Sequence, residues 1–521
     1  MRTLSAGTPS GVVQRNPRRL PLVLLGCLAL LIALSGVSFA APQPGTVSPH
    51  LRLHLLDPAF DPNATQGGAP FCTSGSLGTV LCYPPNFLKV AYDFPPTDGR
   101  NGLNGNGQTI VIVDAFGSPT LQSDLDTFDT TFGLPATKVQ ILCGPTWSGS
   151  SSDICPVNTI ADLTTAPNSA VCGGAAGWAE ETTLDVTQSH ALAPGAKIVV
   201  VVANDCFDSS INDAEAAVVN QPKFRGSVMS QSFGEPDSQV DPTVRSVADG
   251  IYWTATKNNW TIIASSGDLG ANEAGDTTLT PSWPATNPFN LAAGGTQGYP
   301  YGGQFGPPPG PGGVFTCPAH TNCNTGLVVI NGGRYGCQSV DRPGVPTSCI
   351  PVGYGGEAAW NEADSIGAGT ATGGGISPFY TRPLYQFFLP DDFVTLFGTA
   401  IENRRNRLNP DVSFNAAVNG GVLAYLGFLG RWAVFGGTSA ASPAWAGIIA
   451  LLNDANNRPS GFITPDIYAH WYDFHDIMVG NNSATGGQDG FDGFVAGPGY
   501  DLTTGLGTPS VSQFIRTMQF R

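Results

Sequence analysis

Four strand-like runs, three of them largely apolar and β-branched, constrain what this 521-residue chain can fold into. They are QTIVIVD (residues 108–114), KIVVVVA (197–203), SVMSQSF (227–233) and TIIAS (261–265). A strand with one wet face alternates apolar and polar residues; a strand covered on both faces has no need to. Segments of helical spacing separate the runs, at residues 121–132, 177–190, 212–220 and 244–257, and Pro194-Gly195 stops the second of them. Shorter strands are expected at 139–142, 290–293 and 422–425. Continuous strands alternating with helices predict an α/β fold, a parallel sheet with helices on both faces.

The segment GGTSAASPAWAGIIALLND, residues 436–454, is too rich in Ala, Ile and Leu for a surface helix. Pro443 suits the first turn of a helix, where its missing N–H is not needed. That places Ser439 just before or on the first turn of a buried helix. Free backbone N–H groups and the helix dipole there favour developing negative charge, as a nucleophilic hydroxyl requires. A Ser/Thr-rich N-cap would give the same local sequence, so the rest of the chain must decide.

Composition narrows the partners. Net charge is −16, with 23 Lys and Arg against 39 Asp and Glu. No basic patch is available to neutralise phosphates, so nucleic acid is excluded as a partner. Only 12% of residues are charged, and an acidic chain of low charge suits an acidic medium. Hydrophobic content of 41% supports a sizeable core, and the 67 Gly and 43 Pro imply many loops.

The N-terminus carries an export signal over residues 1–40. Arg15, Arg18 and Arg19 precede an apolar run at 20–37, and Ser38-Phe39-Ala40 offers a small-x-small cleavage site. A secreted chain with no membrane contact after cleavage is expected; an uncleaved anchor is the alternative. Residues 41–82 show no clear periodicity and read as a linker and N-terminal arm, with a catalytic domain at 83–521. Ten cysteines remain outside the signal, an even number that in an exported chain implies disulfides rather than zinc. Close spacing suggests Cys72–Cys82, Cys143–Cys155, Cys317–Cys323 and Cys337–Cys349, leaving Cys172 and Cys206, although spacing alone leaves the connectivity open. Residues 299–356, with GGQFGPPPGPGG and four of these cysteines, form a disulfide-rich loop insertion.

A serine nucleophile needs a base. Of six histidines, His50 and His54 fall in the arm, His320 in the insertion, and His190 at a helix end, where it suits the dipole. None has a subtilisin-type His-Gly-Thr-His setting. Glu181 and Asp185 share one helix face at i,i+4. Close carboxylates hold a proton between them and can act as a base in acid, where imidazole is protonated. A solvated acidic face would look the same locally. Asp268 ends the TIIAS strand within Ser-Ser-Gly-Asp, and the C-terminal ends of parallel strands are where sites form. If protonated it can donate to an oxyanion; as an ordinary turn former it would not.

Glu181-x-x-x-Asp185, then SSGD ending at Asp268, then GGTSAASP around Ser439 resembles the sedolisin family of serine-carboxyl peptidases, acid-acting relatives of subtilisin. Ser230-Gln-Ser-Phe-Gly234, Gly294-Gly295-Thr296, the stretch from Ala371 to Ser377 and the tail match as well, so the likeness covers roughly residues 84–515 outside the insertion. The resemblance implies a subtilisin-like fold. It implies Ser439 as nucleophile, Glu181 as general base, Asp185 as the carboxylate orienting it, and Asp268 as the oxyanion-hole acid. Asp114 would stand behind the pair as a further carboxylate. The family's single calcium site would fall on the Asp476 and Asp501 carboxylates and the carbonyls of Ile477, Gly497 and Gly499, an oxygen-only set that suits Ca²⁺. It also implies a large folded propeptide, for which the roughly forty residues after the signal are too few. The expectation is a monomeric, secreted endopeptidase acting on polypeptides in acid. A tripeptidyl-type exopeptidase of the same family and a catalytically idle extracellular binding protein are the alternatives.

Overall fold

A computed structural model describes residues 45–62, 71–97, 102–143, 166–275 without 167, 278–297, 357–388 with short gaps, 405–484 and 493–519, plus the backbone of three strands within 327–351. The expected signal at 1–40 lies outside the described residues.

In chain order, strands β1 (Ser48–Pro49), β2 (Arg52–Leu55), β3 (Phe71–Ser74) and β4 (Gly78–Tyr83) lead to helix α1 (Pro85–Ala91). The α/β part follows as β5 (Thr109–Ala115), α2 (Leu121–Phe132), β6 (Gln140–Cys143), α3 (Ala175–Leu192), β7 (Lys197–Ala203), α4 (Asp208–Val219), β8 (Val228–Gln231), β9 (Phe233–Pro236), α5 (Pro242–Lys257), β10 (Thr261–Ser265), β11 (Ser282–Trp283) and β12 (Leu291–Gln297). Three antiparallel strands, β13 (Leu327–Ile330), β14 (Gly333–Arg342) and β15 (Val345–Pro351), fall in the insertion. Then come β16 (Ala358–Ala359), the pair β17 (Gly375–Thr381) and β18 (Asn406–Asn409), β19 (Val412–Asn415), β20 (Gly421–Leu426), β21 (Arg431–Gly436) and α6 (Thr438–Asn456). Helix α7 (Thr464–Ala469), strands β22 (Phe474–His475) and β23 (Thr508–Pro509) and helix α8 (Val511–Met518) complete the chain.

The main sheet has eight strands in the order β16-β12-β10-β8-β5-β7-β6, with β19 also on β12, and only β16 runs antiparallel. Its apolar runs serve two cores at once. Ile110 and Ile112 of β5 and Val200 of β7 join α3 and α6 in one core; Val111, Val113 and Val201 join α4 and α5 in the other. Period-two alternation thus divides apolar residues between two buried faces. The expected α/β fold with helices on both faces is the observed one.

Two local expectations change. The strand expected at 227–233 breaks at Ser232, and Phe233 begins β9, which leaves the main sheet to pair with β1 and β11. Residues 41–82 hold four strands: β2 is an edge of a five-stranded sheet ordered β2-β21-β20-β4-β3. The Leu51-Arg-Leu-His-Leu55 alternation is a strand signal, and Leu51 is fully buried in the main core. Its partner β21 lies some 380 residues later (Arg52↔Gly436), so no neighbouring sequence marks the pairing.

Cys72–Cys82 is bonded, and so is Cys172–Cys206, the pair left over by spacing. Cys337 and Cys349 are register partners across β14 and β15. Cys143–Cys155 and Cys317–Cys323 involve residues outside those described.

Candidate active site

Helix α3 crosses the core with almost every residue buried, polar ones included. Its Thr182, Thr183 and Thr187 hydroxyls return to carbonyls one turn back, at 2.8–2.9 Å, so the helix satisfies much of its own polarity. Glu181 and Asp185 sit on this helix, both fully buried. Ser439 is the second residue of α6, and its hydroxyl donates to Glu181 Oε2 at 2.9 Å. Pro443 lies inside the helix, not in its first turn as expected. Pro443 has no N–H to give the carbonyl four residues back, that of Ser439, and the Ser232 hydroxyl approaches this carbonyl at 3.5 Å.

Ser232, at the break between β8 and β9, donates to Asp185 Oδ1 at 2.8 Å. Glu181 Oε1 and Asp185 Oδ2 meet no donor from another group, an arrangement that a proton held between the two carboxyls satisfies. Asp114, the last residue but one of β5, is also fully buried. Burial pushes the Glu181 carboxyl far above the usual carboxylate range, and the charges of Asp185 and Asp114 push it further. Burial does the same to Asp185, with Asp114 adding to it, and burial raises Asp114 itself. Glu180 is partly exposed, although burial still raises it to about 7.

Asp268 follows β10 and reaches the start of α6. Its Oδ1 accepts the Thr438 N–H at 2.8 Å and the Thr438 hydroxyl at 2.9 Å. Its Oδ2 accepts no hydrogen bond, and Arg52 Nη1 stands 3.6 Å away. Burial lifts Asp268 to about 6, against the opposing pull of Arg52 and His50. The structure therefore brings Glu181, Asp185, Asp268 and Ser439 into one buried cluster, with Asp114 behind it. Chain segments separated by up to 325 residues meet there at the C-terminal ends of parallel strands.

His50 is the residue that sequence reasoning set aside. Its ring contacts Ser265 Oγ at 2.7 Å, and its carbonyl accepts the Ser439 N–H at 3.0 Å. It does not stand as a base for Ser439, whose hydroxyl turns to Glu181. His190 bonds the Pro135 carbonyl at 3.0 Å and Asp129 at 3.1 Å in the last turn of α3.

The tail residues also meet. Gly499 N–H donates to Asp476 Oδ2 at 2.9 Å and Gly497 N–H to Asp501 Oδ2 at 3.1 Å. Asp501 Oδ1 takes the N–H groups of Thr503 and Thr504, both at 2.8 Å. Asp501 is fully buried and, among the described residues, pairs with no Lys or Arg; burial lifts it to about 6. Two carboxylates around a Gly-turned loop, one of them buried without a counter-charge, fit a hard divalent cation.

Comparison with known proteins bears on the fold and the family. The model of the subtilase family matches residues 169–494, more than half of the chain. Kumamolisin of a Bacillus species is 27% identical over 88% of the chain and 66% of its own length; sedolisin of a Pseudomonas species is 28% identical over 85% and 63%. Tripeptidyl-peptidase 1 of Dictyostelium discoideum is 24% identical over 83% and 58%. In each case the match spans less than two thirds of the relative's length. A solved Pseudomonas sedolisin, a serine-carboxyl proteinase complexed with pseudo-iodotyrostatin, superposes with a TM-score of 0.60 at 24% identity, over 85% of this chain and all of that one. The chain belongs to the subtilase family and, within it, to the sedolisins, whose members are peptidases.

Proposed function

We propose that the chain is an exported serine-type endopeptidase working in acid through an acyl-enzyme. The observation that carries this reading is the 2.9 Å bond from the Ser439 hydroxyl to a buried glutamate that is itself crowded by two more buried carboxyls. Ser439 Oγ attacks the scissile carbonyl and Glu181 takes its proton. Glu181 returns that proton to the leaving amine, and water then repeats the cycle on the ester. Asp185, fixed by Ser232, orients Glu181 and shares a proton with it. The Ser439 N–H and the protonated Asp268 stabilise the oxyanion, a donor of this kind being worth on the order of 10²–10³ in kcat. Asp268 donates only while protonated, below about pH 6. The base pair must at the same time hold one proton rather than two. The Asp268 condition sets the upper limit of the working range in acid, and the condition on the pair sets its lower limit.

Export through the signal at 1–40 and a monomeric enzyme acting on polypeptides are part of the same reading. No helix among the described residues is long and apolar enough to cross a membrane. Asp476 and Asp501, with the carbonyls of Ile477, Gly497 and Gly499, would hold one Ca²⁺. It would neutralise the two carboxylates and tie the tail to the strand end that carries Asp476.

The test is cleavage of a denatured protein at roughly pH 4 and pH 7, on either side of the His range, by wild type, Ser439→Ala and Glu181→Gln. The expected outcome is cleavage in acid alone, lost in both variants. Activity at neutral pH that survives Glu181→Gln overturns the assignment of the base. A folded wild type inert at both pH values favours the idle binding protein.

A further inference from the structure

Helix α6 begins without a cap of its own. Gly437 stands at the N-cap position and has no side chain to offer the first N–H groups. Asp268, 170 positions earlier in the chain, takes that place: its Oδ1 accepts the Thr438 N–H at 2.8 Å and the Thr438 hydroxyl at 2.9 Å. The Thr438 side chain is fully buried and is also tied to the turn before Asp268, where its oxygen accepts the Gly267 N–H at 3.2 Å. Its one hydroxyl proton has two acceptors within reach, Asp268 Oδ1 at 2.9 Å and the Gly267 carbonyl at 3.1 Å. That carbonyl already receives the Gly373 N–H at 2.7 Å, and a carboxylate is the stronger acceptor, so the proton points to Asp268. Oδ1 thus faces two donors, whereas Oδ2 accepts no hydrogen bond. A Cβ added to Gly437 would stand 2.6 Å from Oδ2 and 2.3 Å from the His50 oxygen, which the Ser439 N–H holds at 3.0 Å. Oδ2 and a carbonyl oxygen seated on the Ser439 N–H therefore border one small space.

We propose that Thr438 is a positioning residue: it holds Asp268 so that the carboxyl proton sits on Oδ2, where it donates to the oxyanion. This rests on the peptidase reading above. A protonated carboxyl has one O–H, and its other oxygen only accepts. The Thr438 N–H is fixed at the head of α6 and cannot turn away, so the oxygen it meets must be the accepting one. The hydroxyl adds a second donor to that oxygen and resists rotation of the carboxyl about its Cβ–Cγ bond. With Oδ1 so engaged, the proton is left on Oδ2. Asp268 keeps this proton through the reaction and bonds to the oxygen on which charge develops, with no transfer of the proton. The same two donors favour the ionised form of Asp268 and hold its carboxyl down against the lift of burial. Thr438 therefore fixes which oxygen donates and also lowers the pH above which that donor is lost. Arg52 and His50 of the arm and Glu181 of α3 interact with the Asp268 charge as well. These three stay in place when Thr438 alone is changed.

The experiment measures kcat and KM on a denatured protein from roughly pH 3 to pH 8, for the wild type, Thr438→Val and Thr438→Ser. Valine keeps the shape of threonine without the hydroxyl. It also leaves the Gly267 N–H without that acceptor, so circular dichroism records the folded fraction. Thr438→Ala takes the place of the valine variant should that chain not fold. In Thr438→Val, kcat at roughly pH 4 should fall at least about fivefold, within the roughly 10²–10³ that a whole oxyanion donor is worth, while KM stays unchanged. The limb on which activity falls as pH rises, near 6 in the wild type, should move up by about one unit, because the ionised carboxyl has lost one donor. Thr438→Ser keeps the hydroxyl and should return both quantities to the wild-type values. The pH of a limb does not depend on how much of the chain is folded. A threonine that merely caps the helix would therefore lower the rate and leave the limb in place, and that result overturns the inference. A wild-type kcat in Thr438→Val, or a serine variant that behaves like the valine one, overturns it too. In each of these cases a wild type active in acid leaves the proposed function standing. A wild type that cuts nothing at any pH overturns both.

Discussion

Glu215 allows a quantitative test of how the interior is tuned, away from the active cluster. It lies on α4, fully buried, and its Oε1 accepts the Tyr252 hydroxyl at 3.1 Å and a donor from Gln231. Burial, with a smaller push from Asp208, lifts its carboxyl from 4.5 to about 8. The folded pKa is raised, so the stability this group contributes is fully present below pH 4.5 and is lost as pH rises towards 8. Each unit of that window costs about 1.4 kcal/mol, because the unfolded chain releases a proton that the folded one keeps. From 4.5 to pH 7 is 2.5 units, or about 3 kcal/mol; the full 3.5 units to pH 8 give about 5 kcal/mol as an upper bound. Glu215→Gln keeps an acceptor at the same place and has no charge to lose. In a Ser439→Ala background, which prevents self-digestion, urea unfolding of the parent and of the Glu215→Gln variant should be compared at pH 4 and pH 7. The variant should gain on its parent by about 3 kcal/mol between the two. Parallel stability changes in both proteins would refute the argument that burial holds this carboxyl neutral.

Other outcomes follow from single contacts. Gly437→Ala sets a Cβ against the His50 oxygen at 2.3 Å, at a backbone φ of 99° that other residues avoid; thermal unfolding should show a loss of about 1–3 kcal/mol. Replacing Cys172 and Cys206 together by Ala opens a crosslink between residues 34 apart in sequence, and denaturant titration should show a loss of about 4 kcal/mol on loop-entropy grounds. If Asp501 holds calcium, a chelator should lower the melting temperature of the wild type and leave that of Asp501→Asn unchanged, as read by calorimetry.

The parts legible in the sequence were those governed by local pattern. Apolar runs such as 197–203 declared a doubly covered sheet because their alternate residues feed two cores. The i,i+4 spacing of Glu181 and Asp185 held on α3 because a helix enforces it. The parts that escaped are pairings between distant segments. β2 needs β21, and nothing near Leu51 announces Gly436. His50 looked like an arm residue because its partners, Ser265, Ser282 and Glu273, are more than 200 positions away. Spacing rightly joined Cys72 to Cys82, whereas Cys172 and Cys206 emerged only as a remainder, since their contact depends on how α3 and β7 are placed.

The arm also bears on the acid that would serve the oxyanion. Asp268 sits in full burial, which raises its pKa, and two groups of the arm oppose that rise: Arg52, 3.6 Å from Oδ2, and the nearby His50. Thr438 lowers it further through its N–H and hydroxyl, which belong to α6 and remain whatever the arm does. Removing the Arg52 guanidinium takes away one of the two opposing charges and leaves the Thr438 bonds in place. Asp268 must then move up from about 6, so that more of it is protonated at a given pH. The measurable consequence is a shift in the pH dependence of an aldehyde inhibitor's binding, whose hemiacetal oxygen needs the same donor. The limb near pH 6 should lie higher in Arg52→Met than in the wild type. A limb at the same pH in both, or lower in the variant, would refute the coupling between the arm and Asp268.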